Sequence, residues 1–293
     1  MRRKLLPAFA LLVLTSGASK ALAQEEVHGY EALYGTLIDY SGSSEKRDGY
    51  SAAAYLEIGD GLVHSLKLAY AYTFINYKGK SDLNQNDFTL LYSNYYGILK
   101  NHIFTIGGHY IDSDDELTDG GFILIFDGTH VSHPERFSWS AGLELAYSDY
   151  SSGADFSVFQ LSPHATFKLY SAAEGDLYLN LKGYGIFISD EDKAKASDDS
   201  YYSFEASITY KASNYDITVS GWGGEQMFAV KGGGFIVYNL QEKYEGGGSL
   251  EVGYYPMKNL RISCALNFNT YKEIASGEDV DQTAITLSAG YRF

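Results

Sequence analysis

The sequence predicts an all-β fold: a closed antiparallel transmembrane β-barrel of about fourteen strands, with twelve or sixteen as the alternatives. Three observations predict it. Segments of about ten residues with alternating apolar and polar side chains recur from residue 28 to the end, which is the two-residue period of a strand. The connections between them alternate between short turns and longer polar loops. Glycine (31) and tyrosine (27) are abundant and proline (4) is scarce, which suits many closely paired strands with aromatic residues at two interfaces.

The chain opens with Arg2, Arg3 and Lys4, an apolar run from Leu5 to Leu14, and Ala21-Leu22-Ala23. This is the layout of a cleaved signal peptide over residues 1–23, with Gln24 as the expected mature N-terminus. Residues 24–293 then form a single domain. Removing Arg2, Arg3, Lys4 and Lys20, and no acidic residue, takes the formal charge from −15 to −19. Such acidity argues against nucleic-acid binding. Cys264 is the only cysteine, so no internal disulfide forms.

The expected strands lie at about 28–40, 50–58, 62–76, 87–98, 103–111, 121–131, 137–148, 156–170, 176–188, 201–211, 214–226, 243–255, 260–272 and 282–293. The last is the clearest. Thr283, Ile285, Leu287, Ala289, Tyr291 and Phe293 fall on one face, and Gln282, Ala284, Thr286, Ser288, Gly290 and Arg292 on the other. The strands 87–98, 103–111 and 121–131 alternate poorly, and their faces are not assigned. Short connections such as Gly59-Asp60-Gly61 and Ala212-Ser213 face longer ones such as 112–120 and 189–200. That asymmetry is expected of short periplasmic turns and longer extracellular loops. The segment 227–241 reads Met-Phe-Ala-Val, Lys231, three glycines, then Phe-Ile-Val-Tyr. It fits an outward extension of the neighbouring hairpin, the favoured arrangement, or an inward fold that narrows the lumen, or an extra strand pair.

A membrane setting follows from the strand lengths and faces. Strands of eleven to thirteen residues are long enough to cross a bilayer tilted. One face is apolar and nearly free of charge, as hydrocarbon requires, and closure leaves no unpaired edge in lipid. The opposite face carries charges of both signs. Glu57, Lys67, Glu144, Lys168, Lys182, Glu205, Asp216, Glu251, Arg261 and Arg292 are the expected pore-lining residues. A network of paired charges plugging the barrel is the competing arrangement. Tyr55, Tyr178 and Tyr184 also point inward on this alternation. Trp139 and Trp222 are read as interface anchors, and Cys264 as a small apolar residue on the lipid face.

The final strand, ending Ala-Gly-Tyr-Arg-Phe, resembles the C-terminal signature of bacterial outer-membrane proteins, carried here by Tyr291 and Phe293. The resemblance implies recognition by the barrel-assembly machinery and an integral outer-membrane location, while the expected signal peptide implies Sec-type export. In size and strand number the chain resembles the small monomeric fourteen-stranded porins. That second likeness is architectural and transfers no functional residue.

The longer loops are acidic, with Asp112, Asp114, Asp115, Glu116 and Asp119 in one and Asp190, Glu191, Asp192, Asp198 and Asp199 in another. Their spacing matches no calcium-loop motif, so no metal site and no cofactor is assigned. Their field favours cations. His130, Ser132 and His133 fall at a predicted periplasmic turn, and His109 and His164 lie on strands without a recognisable nucleophile motif, so no catalytic residue is assigned. The expected function is a channel for passive diffusion of small hydrophilic solutes or ions, cation-preferring, surrounded by outer-membrane lipid and lipopolysaccharide. The alternatives are a non-conducting scaffold holding a periplasmic or surface partner such as a cytochrome, and an outer-membrane hydrolase.

Overall fold

The computed structural model describes residues 28–293; the expected signal peptide and cleavage site lie outside them. Sixteen strands are present: β1 (His28–Ser41), β2 (Lys46–Gly59), β3 (His64–Tyr77), β4 (Leu83–Tyr95), β5 (His102–Ser113), β6 (Phe122–Val131), β7 (Trp139–Asp149), β8 (Ser157–Ala172), β9 (Gly175–Ile188), β10 (Ser200–Lys211), β11 (Tyr215–Gln226), β12 (Val230–Lys231), β13 (Ile236–Val237), β14 (Glu242–Met257), β15 (Leu260–Glu273) and β16 (Asp279–Arg292). Fourteen of them close one antiparallel barrel in sequence order, with β16 pairing back onto β1 and β11 pairing with β14. The short β12 and β13 pair only with each other. No helix among the described residues is long and apolar enough to cross a membrane.

Leu37, Phe204, Val219, Ile285 and Leu287 lie on the outside and are exposed, and so do Ile106 and Leu124, from strands whose faces the sequence left unassigned. Cys264 is exposed there as well. An apolar outer band on a closed sheet matches hydrocarbon, where no water satisfies a charge or an open edge. Trp139 lies on this outer face near the short-turn end, where its ring packs against His130 at 5.5 Å.

Closure is sealed where the start of β1 meets the end of β16. Gly29 and Phe293 exchange backbone hydrogen bonds of 2.9 and 3.0 Å. The Phe293 ring lies over Gly29, in space that a Cβ there would occupy. At the β2–β3 turn, the Asp60 carboxylate accepts N–H bonds from Leu62, Val63 and His64. Those three donors hold its carboxyl down at about 2.

The interior differs from one side to the other. On the β4–β10 side the inward faces carry Leu91, Ile111, Ile123, Ile125, Val158, Ile186 and Ile188, all buried in one apolar cluster. This explains the poor alternation of the strands expected at 87–98, 103–111 and 121–131: inward Ile123 and Ile125 sit between outward Phe122, Leu124 and Phe126 on β6, while β4 and β5 add inward Leu91 and Ile111 among polar inward residues. The inward cluster is completed by Met227, Phe228, Ala229 and Val230. The segment 227–241 therefore folds into the lumen rather than extending the hairpin outward. A hydrophobic quartet outside the barrel would stand in water, whereas inside it removes apolar area from water on both partners.

Candidate functional site: the lumen and its inward segment

The inward segment leaves the wall between β11 and β14 and reaches across to the facing strands. Gln160 on β8 grips it as a strand neighbour would, with Nε2 donating to the Val230 carbonyl at 2.7 Å and Oε1 accepting from the Val230 N–H at 2.8 Å. Gly232, Gly233 and Gly234 all have positive φ, the tight turn for which glycine is suited. A Cβ on Gly234 would meet Ile125 on β6. Thr89 on β4 donates to the Gly234 carbonyl at 3.4 Å, and Asn239 donates to Gln85 and Thr118 at 2.8 and 2.9 Å. Phe235 meets Tyr55 of β2 edge-on at 5.3 Å. Phe228, itself at φ 54, is held between Tyr150 and Phe156 at 5.8 and 5.1 Å. That packing supports a backbone conformation that bulky residues rarely adopt.

Lys231 carries the segment's charge. Its Nζ lies 2.8 Å from Glu205 and above the rings of Trp222, Tyr184 and Tyr238 at 5.0, 5.4 and 5.7 Å. Trp222 is thus a lumen residue that donates to Asn269, not the interface anchor expected from sequence. Its alternation with Gly221 and Gly223 leaves the strand's apolar face undefined, which hid its side.

The ten charged residues expected inside project from the inner wall, most of them held by a partner. Glu144 meets Lys182 at 2.9 Å, and Lys168 meets Asp176 at 3.4 Å. Arg261 meets Asp216 at 2.6 Å and Glu251 at 2.8 Å. Glu57 accepts from Tyr55 and Ser65, while Lys67 lies over Tyr95. Arg292 lines the short-turn mouth. The inward tyrosines follow the same logic: Tyr178 donates to Asp176 and Tyr184 to Glu205.

Two open spaces lie in the lumen on its short-turn side. One of about 590 Å³ is bordered by Tyr30, Glu57, Tyr95, Tyr255, Arg261 and Arg292. The other, of about 290 Å³, is bordered by Asp127, Glu144, His164, Asn180, Lys182 and Glu205.

Two histidine arrangements escaped sequence reasoning. His109 bonds Thr89 at 2.9 Å and Asp87 at 3.2 Å. His164 reaches across Gly142 to Asp127 at 2.7 Å, and a Cβ on Gly142 would block it. The available signal was the repeated Asp-x-Thr at 87–89 and 127–129, which sets both groups on one strand face. Both ring nitrogens of His109 are engaged and the side chain is buried, so no substrate reaches it. His130 faces outward and pairs with His102 instead of Ser132. Among the described residues no group of histidine, cysteine and carboxylates is arranged to hold a metal ion.

No family model and no curated protein matches the chain. Solved structures do. Omp33 of Acinetobacter baumannii is similar at 10% identity and a TM-score of 0.52, over 92% of this chain and 100% of that one. A bacterial polysaccharide outer membrane secretin is similar at 8% identity and 0.57, over 90% and 98%. The toluene transporter TbuX of Ralstonia pickettii is similar at 9% identity and 0.55, over 91% and 89%. The fold is that of bacterial outer-membrane β-barrels. At these identities the likeness speaks for the fold alone.

Proposed function

We propose that this barrel is an outer-membrane channel for small hydrophilic solutes or ions, narrowed by the segment 227–241. The observation that carries the reading is the interior of the short-turn half, where two open spaces are bordered by charged and hydroxyl side chains instead of a packed apolar core. Fourteen strands enclose more room than the eight whose interior side chains fill. The toluene transporter TbuX, of similar fold, agrees with a transport role. The ten charged wall residues line the route on this reading. The short turns face the periplasm, and Tyr291 and Phe293 serve as the assembly signal after Sec-type export. The long loops contact lipopolysaccharide.

The acidic loops at the long-loop end would bias entry toward cations, an effect that salt screens. Single-channel recording of the refolded chain at two salt concentrations tests both statements. Stable steps with a cation-favouring reversal potential that weakens at the higher salt are expected. An anion-favouring potential contradicts the bias. A folded but silent barrel contradicts the channel.

The dry packing around Met227–Val230 favours a second reading, a closed scaffold that holds a protein partner. Copurification of such a partner with a silent barrel would establish it.

A further inference from the structure

The wall formed by β11, β14, β15, β16, β1, β2 and β3 differs in chemistry from the side the inward segment packs against. Two register rows run round it. One joins Thr286 to Thr36, Ser51 and Thr73, and the next joins Ser220 to Ser249 and Asn267. Their hydroxyls pair across strands: Thr36 with Thr286 at 2.9 Å, Ser51 with Thr73 at 3.3 Å, Ser220 with Ser249 at 2.7 Å. All six are half-buried, so solvent reaches the rows.

A hydroxyl pair uses one hydrogen between two oxygens. The second hydrogen and the remaining lone pairs stay free for a solute, so the wall both donates and accepts. Charge offers nothing comparable here. The carboxylates beside the rows, Asp216 and Glu251, are held by Arg261, whose guanidinium is in turn occupied by them. At the level of the rows an ion would lose hydration without gaining a free counter-charge, whereas Glu57, Lys67 and Arg292 lie on the same wall six residues nearer the short-turn mouth. A neutral hydroxylated solute exchanges water for wall hydroxyls at little cost. Beside the rows, Tyr55 on β2 of the same wall meets Phe235 of the inward segment edge-on at 5.3 Å, and this half-buried pair supplies aromatic carbon for the carbon skeleton of such a solute.

We infer that the hydroxyl rows of this wall form a lane for uncharged, hydroxyl-rich solutes, of which a monosaccharide is the simplest. This rests on the channel reading and names its substrate class. The test is uptake into liposomes holding the refolded full barrel, comparing a neutral hexose with the hexonate anion and the amino-hexose cation, alongside potassium chloride conductance. Hexose uptake is expected to be several-fold faster than that of either charged analogue. The ratio should fall toward one in Thr36→Val/Thr286→Val, with Ser249→Ala as the second variant should the first not fold. A charged analogue that matches the hexose, or a ratio unaltered in a folded variant, overturns the lane. Salt conductance without hexose uptake overturns the lane and leaves the channel standing; neither uptake nor conductance overturns both.

Discussion

Leu287→Arg is expected to cripple insertion of the barrel, while its neighbour Ser288→Arg folds normally. Leu287 is 60% exposed on the outer face of β16, where it pairs with Gly35 and Cys264. A guanidinium there meets hydrocarbon, at a cost of about 2–4 kcal/mol near the bilayer midplane. Ser288 points inward, bonded to Ser263 at 2.7 Å, in a wall that water reaches. A charge there keeps its hydration. Urea titration of both variants refolded into lipid vesicles decides the matter. Equal tolerance of the two substitutions would mean that β16 presents its faces the other way round.

A second large effect is expected at Lys46. Its ammonium is buried beside Glu242 and lies 3.8 Å from Glu273, with all three side chains at most 5% exposed. The rings of Tyr271 and Tyr40 lie 5.0 and 5.5 Å away. Ser43 donates to Glu273 and Tyr244 to Glu242, each at 2.6 Å. The cluster ties the starts of β2 and β14 to the end of β15, and so anchors the strand that receives the inward segment. Lys46→Met keeps the aliphatic stem but leaves two carboxylates buried without their cation. Breaking such a pair costs about 3–5 kcal/mol. The urea midpoint should fall accordingly and recover in part when Glu242→Gln is added. An unchanged midpoint in Lys46→Met would show that the carboxylates are hydrated in the membrane-bound protein.

The same cluster shows where sequence reading stops. The fourteen crossings were legible because one side of each strand faces lipid and must be apolar, which imposes a period of two. The start of β2 was not. Lys46-Arg47-Asp48-Gly49 reads as a polar loop, and only partners some two hundred residues away make Lys46 an interior residue. Likewise Leu83 to Asn86 reads as loop, yet Leu83 packs with Tyr40, Ile75, Tyr244, Tyr271 and Val280. The inward charges could be placed on a face from alternation alone. Their partners could not, because Arg261 meets Asp216 only through the register of β11, β14 and β15. The direction of 227–241 was ambiguous, since Met-Phe-Ala-Val before three glycines fits a hairpin tip as well as a buried turn. What resolved it lay elsewhere in the chain: Ile123 and Ile125 on β6, Val158 on β8 and Ile186 and Ile188 on β9 point inward, and this apolar inner set needs a cover.

On the channel reading, narrowing of the polar barrel by this cover limits conduction. It is tested most directly by comparing single-channel conductance of the full chain with that of a variant whose residues 229–237 are replaced by a short Gly-Ser bridge. A several-fold larger conductance in the shortened variant, with the wild-type steps still resolvable, is the predicted result. Equal conductance in the two folded proteins would contradict it, because a segment that spans the lumen from β11 to β4 must then leave the conducting path untouched.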